Sequence, residues 1–134
     1  MNAAMRVRGT DEPGVVLDFI RPRLEHALRE RKRYRYVHPE VQHEAPYFRV
    51  QSPCCSRNVD KDGGVIDIAL LAPPGSPAPA QARKAEGVPV PEAGDWRVYA
   101  RDHRFDLWVL QGCAPHLQTL LALMCEDPQR VFWP

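Results

Sequence analysis

The most chemically loaded stretch of the 134-residue sequence is Ser52-Pro53-Cys54-Cys55-Ser56-Arg57-Asn58. A thiol beside a cation gives up its proton more easily, so Arg57 next to Cys54 and Cys55 points toward a nucleophile. A nucleophilic cysteine also needs a base or an orienting partner. His103 is the best candidate for that part by residue type, and Asp102 beside it completes a tempting acid–base pair. The phosphatase-like spacing, with arginine six residues after the cysteine, is absent: position 60 is Asp and position 61 is Lys. The competing reading is structural. One cysteine packs inward as a small apolar side chain, the other is an ordinary thiol, and Asp102-His103 is a turn; this reading is preferred.

Cys54, Cys55, Cys113 and His116 would supply four zinc ligands if they converged. Zinc sites usually announce themselves by paired cysteines two to four residues apart, whereas here there is one Cys-Cys dipeptide and one Cys-x-x-His. No bound metal is therefore expected. Asn58-Val59-Asp60-Lys61-Asp62-Gly63 resembles the first half of a calcium loop, but the position that should carry a bidentate glutamate is Ala69. No phosphate-binding glycine loop, nucleophile elbow or HExxH is present, and no cofactor is implied.

The elements that must position these residues can be read from periodicity. Leu17, Ile20, Leu24 and Ala27-Leu28 recur at helical spacing and predict a helix from about Gly14 to Arg33, broken near Arg21 by Pro22. The period then changes to two. Strands are expected at 34–38, 47–51, 65–71, 96–101 and 105–110, the last two joined as a hairpin at Asp102-His103-Arg104. Leu117, Leu120, Leu121 and Met124 form the stripe of a closing helix that Asp127-Pro128 should end. The tail Val131-Phe132-Trp133-Pro134 is too apolar for a free end and should pack on the domain. Residues 72–95 hold six of the fourteen prolines and three of the eight glycines. They read as a long Pro/Ala/Gly-rich mobile loop within the domain.

Helix, five strands, helix is solved most economically by an α+β domain of two layers. The expectation is one domain over 1–134, with a flexible N-terminus at 1–12. It carries a mainly antiparallel sheet of about five strands with both helices on one face. If Ile66, Ile68 and Leu70 face the helices, alternation puts Arg49, Arg97, Tyr99, Arg101 and Trp108 on the open face. Arginine interleaved with aromatics suits an acidic protein partner or single-stranded bases, although cross-strand pairing alone also produces such a face. A second candidate surface is the basic end of the first helix, with Arg31 and Arg33 at its centre.

Composition decides between partners. Eighteen Lys+Arg against seventeen Asp+Glu leave a net charge of +1. A polyanion-coating protein would show a large basic excess, so a partner protein is expected before nucleic acid. The near-zero total conceals eleven basic and seven acidic residues in 1–57 against seven and ten in 58–134. No apolar run approaches the ~20 residues of a membrane helix. Four cysteines without a secretory pattern point to reduced thiols in a cytoplasm. Fifteen of the eighteen basic residues are arginine, a bacterial-type composition. The functional expectation is a small binding or accessory module. Its alternatives are a thiol- or zinc-dependent enzyme at Cys54-Cys55 and a single-stranded nucleic-acid binder.

Overall fold

The computed structural model describes residues 13–29, 31, 39–53 and 64–133. In chain order the elements are α1 (Pro13–Leu28), β1 (Glu40–Glu44), β2 (Tyr47–Pro53), β3 (Val65–Ala72), β4 (Ala82–Lys84), β5 (Trp96–Asp102), β6 (Leu107–Ala114) and α2 (Leu117–Glu126). The six strands form one open sheet in the order β1-β2-β3-β5-β6-β4. Every neighbouring pair is antiparallel except β4–β6, which is parallel. The class is α+β with a mainly antiparallel sheet, as the pattern predicts. No helix among the described residues is long and apolar enough to cross a membrane.

The main core lies on one face. Val41, Phe48, Val50, Leu71 and Val98 from the sheet meet Leu24 and Leu28 of α1 and the Leu117, Leu120, Leu121, Met124 stripe of α2. Each is nearly inaccessible to water, and full burial of such a side chain contributes about 1.5–3 kcal/mol. Phe132 and Trp133 of the tail join the same cluster. The outer edge of β1 is not left bare: the Glu25 carboxylate of α1 accepts the Val41 N–H at 3.3 Å.

Several expectations are corrected. The described residues form six strands, where about five were expected. β1 alternates in burial, with Val41 and His43 less exposed than Glu40, Gln42 and Glu44, but its single apolar residue leaves no hydrophobic pattern to read. β4 lies inside 72–95, the stretch expected to be a mobile loop without structure, and is three residues long. It pairs with β6 through backbone groups, which leave no pattern in side chains. The first helix ends at Leu28 rather than Arg33, and Pro22 sits inside it at an exposed position. The expected strand at 34–38 and the N-terminus at 1–12 lie outside the described residues.

Bulges change which way side chains point. Val50 pairs with Ala69 but Gln51 pairs with Asp67, so Ile68 is an extra residue in β3. An extra residue reverses alternation beyond it. Ile66 and Ile68 still face the helices, but so do Ala69 and Leu71, while Leu70 turns to the opposite side. A second bulge at Gln111 separates the Val98–Gly112 and Tyr99–Leu110 pairs. The β5–β6 turn runs over 103–106, where 102–104 was expected. Phe105 therefore sits at its tip, 63% exposed, instead of pointing inward from β6.

Candidate functional site

The second face of the sheet carries its own cluster: Leu70, Ala72, Tyr99, Trp108 and Leu110, with Tyr47, Ala82 and Val88 packed against it. To reach β4 and return to β5, the chain crosses this face twice. Its first crossing is tied down where the Tyr47 hydroxyl donates to Pro77 O at 2.8 Å and the Arg97 guanidinium donates to Ser76 O and Oγ. The return crossing is held by Lys84 Nζ donating to Val88 O, and Cys113 Sγ lies 3.8 Å from Pro89 O. A turn follows in which the Glu92 N–H donates to Asp95 Oδ2 at 2.9 Å and the Asp95 N–H to Glu92 O at 3.0 Å.

Between the crossings lies a basin of about 510 Å³, floored by Arg97, Tyr99 and Leu110 and rimmed by Ser76, Lys84 and Glu92 among others. Arg97 is 8% exposed and Tyr99 3%. Arg97 donates to the Tyr99 hydroxyl at 3.2 Å and, more weakly, to Pro73 O at 3.4 Å. Burial pushes the Tyr99 phenol above its ordinary value, and the Arg97 charge and hydrogen bond only partly oppose this. Cys113 stands opposite Arg97 in the β5–β6 pairing. Burial raises its thiol, and the carboxylates of Asp95 and Glu92 push it further the same way, so it is a poor thiolate.

Beyond the basin the same face becomes polar. Arg49 lies 3.3 Å from Glu44 and 3.7 Å from Asp67, and Gln51 Nε2 donates to Asp67 Oδ1 at 3.0 Å. The Arg101 guanidinium sits 4.8 Å from the Trp108 ring centre and 3.6 Å from Asp106. Asp102 organises the hairpin turn, its Oδ1 accepting the N–H groups of Arg104 and Phe105 at 3.0 and 3.3 Å. Burial opposes ionisation of Asp102, but those two donors and Arg83 outweigh it and hold the carboxyl below its ordinary value. His103 is lowered, first by burial and then by Arg101, against the pull of Asp67, Asp102 and Asp106. Both burial and Arg101 thus favour its neutral form.

The residues singled out from the sequence fall into separate places. Arg97, Tyr99 and Trp108 do lie on the face away from the helices, but they are buried beneath residues 73–95 rather than open to solvent. Arg49 and Arg101 remain partly exposed. Arg31 is not on a docking surface. It is 1% exposed, with its guanidinium 4.6 Å from the Trp133 ring centre and NH1 donating to Leu28 O at 2.8 Å. Arg33, Cys54 and Cys55 lie outside the described residues. Cys113 faces Pro89, while His116 is exposed at the start of α2 and makes no side-chain cap. Among the described residues no group of three or more His, Cys, Asp or Glu is placed to hold a metal.

Sequence reasoning missed two features. Lys84 was hidden inside the Pro-rich stretch. Asp127, read as a helix stop, also gathers the tail: its carboxylate accepts the N–H groups of Val131, Phe132 and Trp133 at 2.8, 3.2 and 3.0 Å. Its left-handed backbone, φ 40°, turns the chain there. An Asp at a helix end followed by an apolar tail was the available signal.

Residues 80–134 match the family model described as a domain of unknown function (DUF3024). The match takes in β4, β5, β6, α2 and the tail, hence most of the basin's rim and floor. No curated protein and no solved structure matches the chain.

Proposed function

We propose that the protein is a small binding module that docks on a partner protein through the end of the sheet formed by the β5–β6 turn and the start of β3. The observation that carries this reading is the exposure of Val65 (65%) and Phe105 (63%) at that same end of the sheet. Phe105 is flanked by Arg104, whose guanidinium lies 5.1 Å from its ring centre. Apolar and aromatic side chains with arginine at the centre and polar groups around them are the composition of interface hot spots. Arg49 and Arg101 form the polar surround, and Trp108 lies under the Arg101 guanidinium. Protein is the better partner than nucleic acid. Arg49, Arg83 and Arg101 already have carboxylates within 4 Å, which a phosphate backbone would have to displace. The cytoplasmic, bacterial setting expected from the composition belongs to the same reading.

The test is photo-crosslinking from position 104 to identify the partner, followed by titration of that partner. Phe105→Ala should weaken binding about 30-fold, the effect of a hot spot of roughly 2 kcal/mol. Gln118→Ala, on the exposed side of α2, should leave it unchanged. Equal affinity for wild type and Phe105→Ala would overturn the proposal.

A second reading, thiol chemistry, has one supporting observation. Pro53 and Gly64, which flank the segment holding Cys54 and Cys55 in sequence, stand at the end of the sheet that carries His103, whose neutral form burial favours. Both thiols titrating near the ordinary ~8.5 would sink it.

A further inference from the structure

We infer that the basin on the second face is a binding site for a small monocarboxylate with an apolar body. The argument starts from Arg97. A buried charge normally has a counter-charge, because leaving it unpaired in a poorly hydrated place is costly. Arg97 is over nine-tenths buried, yet its partners are Tyr99 Oη, Pro73 O, Ser76 O and Ser76 Oγ, all of them neutral. No described carboxylate pairs with it. Lys84, on the rim, is likewise bonded only to the carbonyls of Ala85 and Val88. Arg97 and Lys84 thus both line the cavity, the Lys84 ammonium turned toward Ala85 and Val88, and the groups either of them bonds to among the described residues are neutral. A guanidinium carries five donors in a plane, a shape suited to a carboxylate.

The rest of the cavity narrows the class of ligand. At about 510 Å³ it falls in the size range of small-molecule sites, and Gly75, Ala78, Pro91, Ala93 and Leu110 give it small apolar walls. Glu92 and Asp95 also line it. They would repel a dianion such as a phosphate monoester more than a single carboxylate. The walls are pinned by the Tyr47–Pro77 and Lys84–Val88 bonds, so little ordering remains to be done on binding. Phe105 and Val65 do not line the basin, so this site stands apart from the docking surface proposed above.

Three probes of one shape separate the possibilities: benzoate, benzyl alcohol and phenyl phosphate, titrated into isotope-labelled protein and followed by amide chemical shifts. Benzoate should give saturable shifts at Ser76, Lys84 and Arg97 with Kd about 1 mM, an affinity in keeping with so small a ligand. Benzyl alcohol should bind at least ~10-fold more weakly, and phenyl phosphate no more tightly than benzoate. Arg97→Gln should lower benzoate affinity at least ~10-fold. Arg97 also holds Ser76, so Ala93→Trp provides an independent arm: Ala93 is exposed on the rim, and the indole should fill the basin without disturbing its floor. The proposal is overturned by benzyl alcohol matching benzoate, by phenyl phosphate binding more tightly, or by no saturable shift with benzoate up to about 20 mM. Undiminished benzoate binding in folded Ala93→Trp overturns it as well.

Discussion

At the scale of single residues, charge placement separates His103 from the other titratable groups of the hairpin. Burial and the nearby Arg101 disfavour its charged form, so its pKa in the folded chain lies below the ordinary 6.5. In the unfolded chain it regains that value. As pH falls from neutrality through about 6.5, the unfolded state takes up the proton first, and stability declines until the folded pKa is passed. Above about 7 the effect vanishes. His103→Gln should therefore flatten the stability curve between neutral pH and the folded pKa while leaving it unchanged at higher pH. Urea melts of wild type and variant across pH 5–8, the span in which histidine ordinarily changes charge, check this, and parallel slopes for the two would refute it. Asp127 illustrates the opposite kind of residue, one whose three backbone donors make it an anchor. Its stop-signal role was legible from Asp127-Pro128; its carboxylate's grip on the tail was not, because it depends on the left-handed turn at that residue.

At the scale of elements, what could be read from the chain was what repeats. The α2 stripe of Leu117, Leu120, Leu121 and Met124 is buried as its spacing predicts. The strands around Ile68 and Val98 also lie where alternation puts them, whereas the strand around Leu110 begins later and runs further than expected. What could not be read was what breaks the repeat. The extra residues Ile68 and Gln111 obey no side-chain rule, and β4 is held by backbone alone. The helix also ended earlier than its pattern suggested: the basic run after Leu28 gave no stop signal, and Arg31 turned inward onto Trp133. Gly112 lies where β6 packs closely against α2. A Cβ there would stand 3.0 Å from Leu123 Cδ2 and 3.6 Å from Leu120 Cδ2. Gly112→Ala asks Leu123 to move slightly, whereas Gly112→Val should wedge α2 away from the sheet at a cost of about 1–3 kcal/mol, seen as a lowered denaturation midpoint. Equal midpoints for Gly112→Val and wild type would show that α2 yields freely.

At the scale of the whole molecule, the sheet is covered on both sides, by helices on one and by the crossings of residues 73–95 on part of the other. The Arg/Tyr/Trp residues read from the sequence as a surface lie on the face away from the helices, where Arg97, Tyr99 and Trp108 are covered. Prolines that looked like loop punctuation belong to a segment fastened to that face. Tyr47 is one of its fasteners. Tyr47→Phe should cost about 1 kcal/mol, the usual value of such a hydrogen bond, and should bring Tyr99 closer to ordinary tyrosine titration, because its cover loosens and the Tyr47 charge that also raises it is removed. Ultraviolet titration of the phenols, with Tyr99→Phe to assign the late-titrating group, would detect this. An unmoved Tyr99 would mean that Arg97 alone secures the crossing.

The parallel placement of β4 has a temporal consequence. Its strand partner, β6, comes later in the chain, after β5 and a hairpin turn. During synthesis the segment carrying Lys84 is therefore made before the surface it docks on exists. The β5–β6 hairpin, closed by a short local turn, has the lower entropic barrier and should form first. The basin then takes shape as a late event, when β4 settles against β6. Until then Trp108, Leu110 and Tyr99 stay open to water and to other chains, a stage at which exposed apolar surface invites aggregation.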